Sequence, residues 1–367
     1  MTETLSPETV RSYLATEGRR RTLWPLNRCA TRDAVRRFLL GVGDDNPLWW
    51  DEARPTDEAF APPTFLYSGV NFGSWPDLGG GPAEKGQPTV TLWAGDHWRW
   101  TSHLRLGEAF EAASEIFEVR EKRVGEATVG LRLRERVRFT GEGGRELASF
   151  VRTTVTMPRR EAPAPSPEAP PLTAEELRRV EDCYDEEPGR RRGAEPRWWD
   201  SVAPGDAVGP IVKGPLTVTN LVGWVIGWGA PLCPTNRMLR QWVKDFPGAV
   251  VRNRRTGGLE GPEGIHWDHD VFSAFGYRQG FDFGPQRISW AAHLCTDWCG
   301  DAGRLLELDA RLLRTNPIGD VTWFTGRVQR RWTEEDGRGC VELEIEGRNQ
   351  RDELTTVARA VIELPVR

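Results

Sequence analysis

A proline- and alanine-rich run, PRREAPAPSPEAPPLT (Pro158–Thr173), cuts the chain into two stretches of about equal length. Its composition favours an extended, semi-rigid spacer over a packed element. A polar helix is expected next, in TAEELRRVEDCY, with Thr173 as N-cap and Glu176 three residues on as the second half of a capping box. The stretches on either side of the spacer read alike. A length of 367 residues is also more than one domain usually needs. The expected division is a first domain over 1–157, a linker and short helix over 158–194, and a second domain over 195–367.

The repeated order is short helix, loop, longer helix, then antiparallel strands. In the first stretch, TRDAVRRFLLG (Thr31–Gly41) is a short amphipathic helix, and APPTFLYSGV opens a second helix after a loop. From His103 the pattern alternates as strands do, with turn signals such as GEGG at Gly141–Gly144. In the second stretch, PLTVTNLVGWVIGWGAP holds a short helix with Thr219 or Asn220 near its start. A long helix is expected from about Pro285, and strands follow to the C-terminus. This order predicts an α+β fold in which one antiparallel sheet wraps a long helix in each half. Two such halves paired edge to edge would form one continuous sheet and protect their edge strands.

Bulk composition excludes several roles. The net charge is −5, from 49 basic and 54 acidic residues, which gives no electrostatic reason to expect nucleic acid or an anionic membrane surface as partner. The six cysteines are scattered and do not form a disulfide framework. Cys295 and Cys299 have only His293 nearby, too few ligands for zinc, so no metal and no cofactor are expected. MTETLSPETV carries no apolar signal core and no run is long enough to span a membrane, so a soluble, cytoplasmic protein is expected. The 17 tryptophans supply material for a core or for the lining of an apolar cleft.

One loop in each half carries chemistry. GDDNPLWWD (Gly43–Asp51) places two acids around an Asn-Pro turn, and IHWDHD (Ile265–Asp270) places a histidine beside two acids. These runs, with APPTF and NPIGD (Asn316–Asp320), resemble the MaoC-like dehydratase family, which includes (R)-specific enoyl-CoA hydratases and the dehydratase region of fungal-type fatty acid synthase. The family motif is G-D-x-N-P-L-H-x-D. Gly43, Asp44, Asn46, Pro47, Leu48 and Asp51 match it, with Trp49 where the family has histidine. His266 and Asp268 match H-x-D in the second half, but Gly261 stands where the family's acid would lie. The resemblance implies a double hotdog fold and a substrate that is an acyl-CoA or acyl-carrier-protein thioester, in fatty acid or polyketide metabolism.

Hydration of a thioester requires a group that moves a proton at the carbon beside the carbonyl. It also requires donors for the enolate oxygen, and backbone N–H groups at a helix start supply these. The second half offers both. His266 is the candidate acid/base, with Asp282 or Asp268 as its carboxylate partner and Gly284 as oxyanion donor. Gln286 and Arg287 are candidates for contact with the thioester or its phosphates. Asp268 has an alternative role as a helix cap, and His269 is expected at the surface. His97, His103 and His293 have no such company and are read as structural. In the first half Asp44 and Asn46 are secondary candidates only, and Trp49, Trp50, Phe65 and Tyr67 are candidate tunnel lining.

Three functions fit this reading: a dehydratase or hydratase of 3-hydroxyacyl or 2-enoyl thioesters, a non-catalytic thioester-binding protein, and another hotdog enzyme such as a thioesterase, cyclase or isomerase. Two halves acting as a pseudo-dimer are compatible with a monomer or a homodimer.

Overall fold

The computed structural model describes residues 3–23, 27–52, 59–70, 89–124, 128–159, 171–229, 234–245 and 250–367. The first half contains strand β1 (Glu3–Thr4), helix α1 (Pro7–Leu14), β2 (Arg20–Thr22), α2 (Arg32–Val42), α3 (Pro47–Trp50), a 3-10 helix (Pro63–Gly69), and the long strands β3 (Thr89–Trp100), β4 (Glu111–Val124), β5 (Thr128–Thr140) and β6 (Glu146–Pro158). Helix α4 (Ala174–Arg190) follows the spacer, capped by Thr173 and Glu176 as the sequence predicts. The second half contains β7 (Ala207–Lys213), α5 (Val218–Trp228), α6 (Asn236–Asp245), a small hairpin of β8 (Val251–Arg252) and β9 (Leu259–Glu260), and α7 (His269–Ala274). It ends with α8 (Gly284–Cys299), β10 (Arg304–Leu312), β11 (Thr322–Thr333), β12 (Gly339–Asn349) and β13 (Leu354–Leu364).

The long strands join in one sheet in the order β2-β4-β5-β6-β3-β10-β13-β12-β11-β7. The seam between the halves is the antiparallel pair β3–β10, in register from Glu307 opposite Arg99 to Arg311 opposite Gly95. The sheet is therefore continuous, as expected. The main hydrophobic cluster crosses the seam: Phe38, Phe65 and Trp98 of the first half share it with Trp224, Ile288 and Leu343 of the second. Helix α8 is buried along its length from Pro285 to Cys299, because the sheet lies on one side and α2 and the 3-10 helix close the other.

Helix α5 begins at Val218 with Thr219 and Asn220 near its start, as expected, and its N-cap is Thr217, whose hydroxyl accepts from Asn220 N–H. Two local expectations need adjustment. APPTFLYSGV, expected to open a helix, forms a 3-10 helix, Pro63–Gly69. The remainder of the long helix expected in the first half would fall within 71–88, outside the described residues. Strand β3 was not expected at all. Its aromatic residues at Trp98 and Trp100 alternate inward, but a register shift beside Gly95 breaks the period.

The short helices that open each half, α2 and α5, cross closely because glycines face one another. A Cβ on Gly41 would lie 2.7 Å from the Gly223 carbonyl oxygen, and one on Gly227 would lie 2.5 Å from the Arg37 carbonyl oxygen. At Gly223 an added Cβ would meet only Gly41 Cα, at 4.0 Å. Gly227→Ala should therefore destabilise the protein by about 1–3 kcal/mol through overpacking, while Gly223→Ala should stabilise it by up to about 1 kcal/mol through helix propensity. Chemical denaturation of the two variants reads the opposite signs; equal effects would mean that the crossing does not depend on backbone contact.

Candidate functional site

A cavity of about 360 Å³ opens along the seam. The first half supplies Thr91, Leu92 and Trp93 from β3 and Arg152 and Thr154 from β6. The second half supplies the loop around His266, the start of α8, and residues 312–315 at and beyond the end of β10.

His266 lies in this wall. Its Nδ1 is 2.7 Å from the carbonyl oxygen of Phe281, which fixes the tautomer: Nδ1–H donates, and Nε2 keeps its lone pair. The ring stacks on Phe283 at 3.6 Å between centroids. Burial pushes the imidazole down to about 4, so the ring is neutral near pH 7 and available as a base. Gly280 makes the loop possible, since a Cβ there would come within 2.1 Å of the His266 carbonyl oxygen.

The two expected carboxylate partners are engaged by other groups. Asp282 lies in the cavity wall but is taken by Arg287, whose Nε donates to Oδ2 at 2.6 Å and whose Nη2 donates to Oδ1. Asp282 also accepts from Asn316. Asp268 is the N-cap of α7: it accepts from Asp270 N–H at 3.0 Å and Val271 N–H at 3.1 Å, and from Asn253. The capping alternative is thus the one that holds for Asp268. The carboxylate that faces His266 is Glu263, with Oε2 3.9 Å from Nε2. The sequence held the signal for it. Pro262–His266 is a 3-10 helix, and residues three apart in a 3-10 helix eclipse one another.

Gly284 begins α8 at the cavity, as expected. A Cβ there would lie 2.6 Å from Cβ and Cγ of Trp93, so only glycine lets the helix start meet the first half's wall. Gln286 turns back to accept from Phe283 N–H at 3.4 Å and is buried outside the lining. Arg287 lines the cavity, but its charge is held by Asp282, and its Nη1 also donates to the Arg314 carbonyl oxygen at 2.6 Å. This pair shapes the loop that borders the cavity. His269 is exposed, as expected.

Asp44 and Asn46 belong to a different structure. Asp44 Oδ1 is 3.3 Å from Nε2 of His293 on α8, and Oδ2 of Asp297 is 3.2 Å from the same nitrogen. Asn46 donates to Asp297 Oδ1 at 3.0 Å, and Arg191 donates to that oxygen at 3.0 Å. Lys213 Nζ donates to the Gly43 carbonyl oxygen at 2.6 Å and lies 2.9 Å from His293 Nδ1. His293, expected to stand alone, is thus the centre of a buried network that ties the first half's motif loop to α8, β7 and the segment after α4. Burial pushes the Asp44 carboxyl up, against the pull of His293. Burial also acts to raise Asp297, but hydrogen bonds and charge from His293 and Arg191 hold it below the usual range. Asp44, His293 and Asp297 bring three potential metal-binding atoms within 4.8 Å of one another. The group beside the other ring nitrogen, Nδ1, is Lys213 Nζ, whereas a metal-bound imidazole is usually backed there by a carboxylate or carbonyl oxygen.

Trp49, where the resembled motif has histidine, lines a second cavity of only about 40 Å³ beside Pro62 and Pro63. Trp49 packs against the main hydrophobic cluster, and Pro62 and Pro63 beside it have no N–H to offer.

Comparisons with known proteins agree with this architecture. Residues 25–140 match the family model of the FAS1-like dehydratase domain region. No curated protein matches the sequence. A solved MaoC-like dehydratase aligns over 96% of this chain and 99% of its own, with a TM-score of 0.64 and 15% identity. A double hotdog protein of Mycobacterium tuberculosis aligns over 95% of this chain and 96% of its own, with a TM-score of 0.56 and 14% identity. The peroxisomal multifunctional enzyme type 2 of Drosophila melanogaster aligns over 95% of this chain and 48% of its own, with a TM-score of 0.51 and 11% identity. At these identities the structural matches establish the fold, a double hotdog.

Two outcomes follow from the site electrostatics. Asp44→Ala should cost about 3–5 kcal/mol, the usual loss when one partner of a buried charged network is removed; a denaturation midpoint equal to that of the parent would show that the network is idle. For His266, the unfolded chain binds a proton near 6.5 and the folded chain only near 4. The resulting stability is complete above about pH 6.5 and is lost as pH falls from there toward 4, on the order of 3 kcal/mol in all. Denaturation across this range should show a steeper acid loss for the parent than for His266→Gln.

Proposed function

We propose that this chain, a double hotdog protein of the MaoC-like type, is a hydro-lyase that interconverts a 3-hydroxyacyl and a 2-enoyl thioester in the cavity at the start of α8. The observation that carries the reading is the fixed tautomer of His266: a neutral imidazole presents a lone pair on Nε2 in the wall of a cavity that also holds a helix start. In dehydration, Nε2 takes the proton from the carbon next to the thioester carbonyl. Negative charge moves to the carbonyl oxygen, for which the N–H of Gly284 at the start of α8 is the donor in this reading. The hydroxyl leaves the next carbon as water once a proton reaches it. Glu263, beside Nε2, is the group that can relay that proton. Hydration runs the same steps in reverse. No cofactor enters this balance.

The thioester carrier is coenzyme A or an acyl carrier protein. Both halves of one chain supply the cavity wall, so turnover needs no second copy, and a homodimer would join complete sites. No helix among the described residues is long and apolar enough to cross a membrane. This is compatible with work in the cytoplasm on a soluble carrier.

The test is the ultraviolet change on hydration of an enoyl-CoA. His266→Ala should reduce kcat by roughly 10²–10⁴-fold with folding retained, and Glu263→Gln should reduce it by a smaller factor. Full activity in folded His266→Ala would remove this site from the chemistry. Thiol release from acyl-CoA without the ultraviolet change would identify a thioesterase, and binding without either signal would identify a non-catalytic thioester-binding protein.

A further inference from the structure

The lining of the cavity changes from exposed to buried across its depth. Leu313 is 50% exposed, the Arg314 side chain is 61% exposed, and Thr91 is also exposed, so the opening lies where β10 ends and β3 begins. The inner wall is aromatic. Trp228 and Phe283 are buried there, with their rings 5.9 Å apart in a T-shaped contact. Trp93 joins them, with its Cβ and Cγ against Gly284. His266 stacks on Phe283 at 3.6 Å, so a substrate carbon that reaches Nε2 already has this wall beside it. The cavity of about 360 Å³ is near the small end of ligand sites, roughly 300–1,000 Å³, and the carrier end of a thioester also needs room in it.

Both indoles of this wall are fixed in place. Trp93 Nε1 donates to Asp96 Oδ1 at 2.8 Å, and Trp228 Nε1 donates to the Tyr67 carbonyl oxygen at 2.8 Å. The Tyr67 hydroxyl donates in turn to Asp96 and accepts from Trp98 Nε1 at 2.8 Å. Tyr67 is therefore a shared anchor: its carbonyl holds one indole, and its hydroxyl holds the other through Asp96. Tyr67 and Asp96 are both buried. The guanidinium of Arg152, ion-paired with Glu135, covers the Trp93 ring at 5.1 Å. Swinging either indole aside would take its N–H from a buried acceptor with no solvent there to replace it. A longer acyl chain thus meets a wall that does not yield.

We propose that Trp93 and Trp228 determine specificity in the acyl subsite: they form a rigid floor that restricts the substrate to short acyl groups of about four to six carbons. Tyr67 and Asp96 are positioning residues that hold this floor. The inference rests on the thioester reading of the site and names its substrate class. An open apolar tunnel would reward each added methylene by about fourfold in binding. A fixed floor reverses that trend, because the extra methylenes either overpack the site or stay in water.

The test is the hydration of crotonyl-CoA, trans-2-hexenoyl-CoA and trans-2-decenoyl-CoA. For the parent protein, kcat/KM should fall by roughly tenfold or more from the two shorter substrates to decenoyl-CoA. Trp93→Leu and Trp228→Leu remove an indole and keep the wall apolar. Each should raise the ratio of kcat/KM for decenoyl-CoA to that for crotonyl-CoA by roughly tenfold or more. Asp96→Ala releases Trp93 without changing a lining residue and should raise the same ratio, whereas Asp96→Asn retains an acceptor for the indole and should keep the parent's profile. That profile needs no variant, so it can be read even if a variant does not fold. A parent that hydrates decenoyl-CoA as well as crotonyl-CoA, or an unchanged ratio in folded Trp93→Leu or Trp228→Leu, overturns the proposal. An unchanged ratio in folded Asp96→Ala overturns the role given to Asp96. If no enoyl-CoA is hydrated, calorimetric binding of butyryl-CoA and decanoyl-CoA decides separately. Butyryl-CoA bound at least as tightly as decanoyl-CoA, with decanoyl-CoA gaining in Trp93→Leu, supports the floor although the lyase reading fails. Any other pattern of binding, or none, rejects the floor as well.

Discussion

The backbone pairing of β3 with β10 is the contact on which the rest of the molecule depends. It makes one sheet from two halves, and it buries an edge on each that would otherwise be open to another chain. The cavity lies just beyond the end of that ladder. Past the pair of Gly95 and Arg311, β3 runs back through Trp93 to Thr91 while β10 gives way to residues 313–315, and the two no longer pair. Each half alone would present an incomplete wall. The site is therefore a property of the seam, which explains why it combines a histidine and a helix start from one half with an arginine and a tryptophan from the other.

The two halves keep different parts of one ancestral-looking pattern and use them for different physics. In the second half, His266 is neutral because it is buried and its one donor is satisfied by a carbonyl oxygen. In the first half, Asp44 and Asn46 have been drawn into an ionic network with His293, Asp297, Lys213 and Arg191. None of these side chains lines the 360 Å³ cavity, and together they tie the first half's motif loop to α8 and β7. Trp49 completes the change by filling the small space beside Pro62 and Pro63.

Much of this could be read in the chain. The capping box at Thr173 and Glu176 and the start of α8 at Gly284 are local, because caps, prolines and glycines act within a few residues. His266 and Gly284 were recognisable from their order and neighbours, and the structure brings them into one cavity. The partners of His266 were not legible in the same way. Asp282 and Asp268 are close to it in sequence, but one is held by Arg287 and the other by the N–H groups of α7. Glu263 meets His266 only because Pro262–His266 winds as a 3-10 helix, in which residues three apart share one side.

What the sequence by itself determined is the order of elements, the repeated plan, and the identity of the half that retains a histidine beside a helix start. Those depend on periodicity and on short-range hydrogen bonding, which a chain carries in its local order. What only the tertiary structure decided is which charges meet. Arg152 is 114 residues from His266 in sequence yet lines the same cavity, and Asp44 meets a histidine that no local motif predicts. Electrostatic partnerships fall off over a few ångströms of space and take no account of distance along the chain, so sheet register and helix packing had to be in place before they could be assigned.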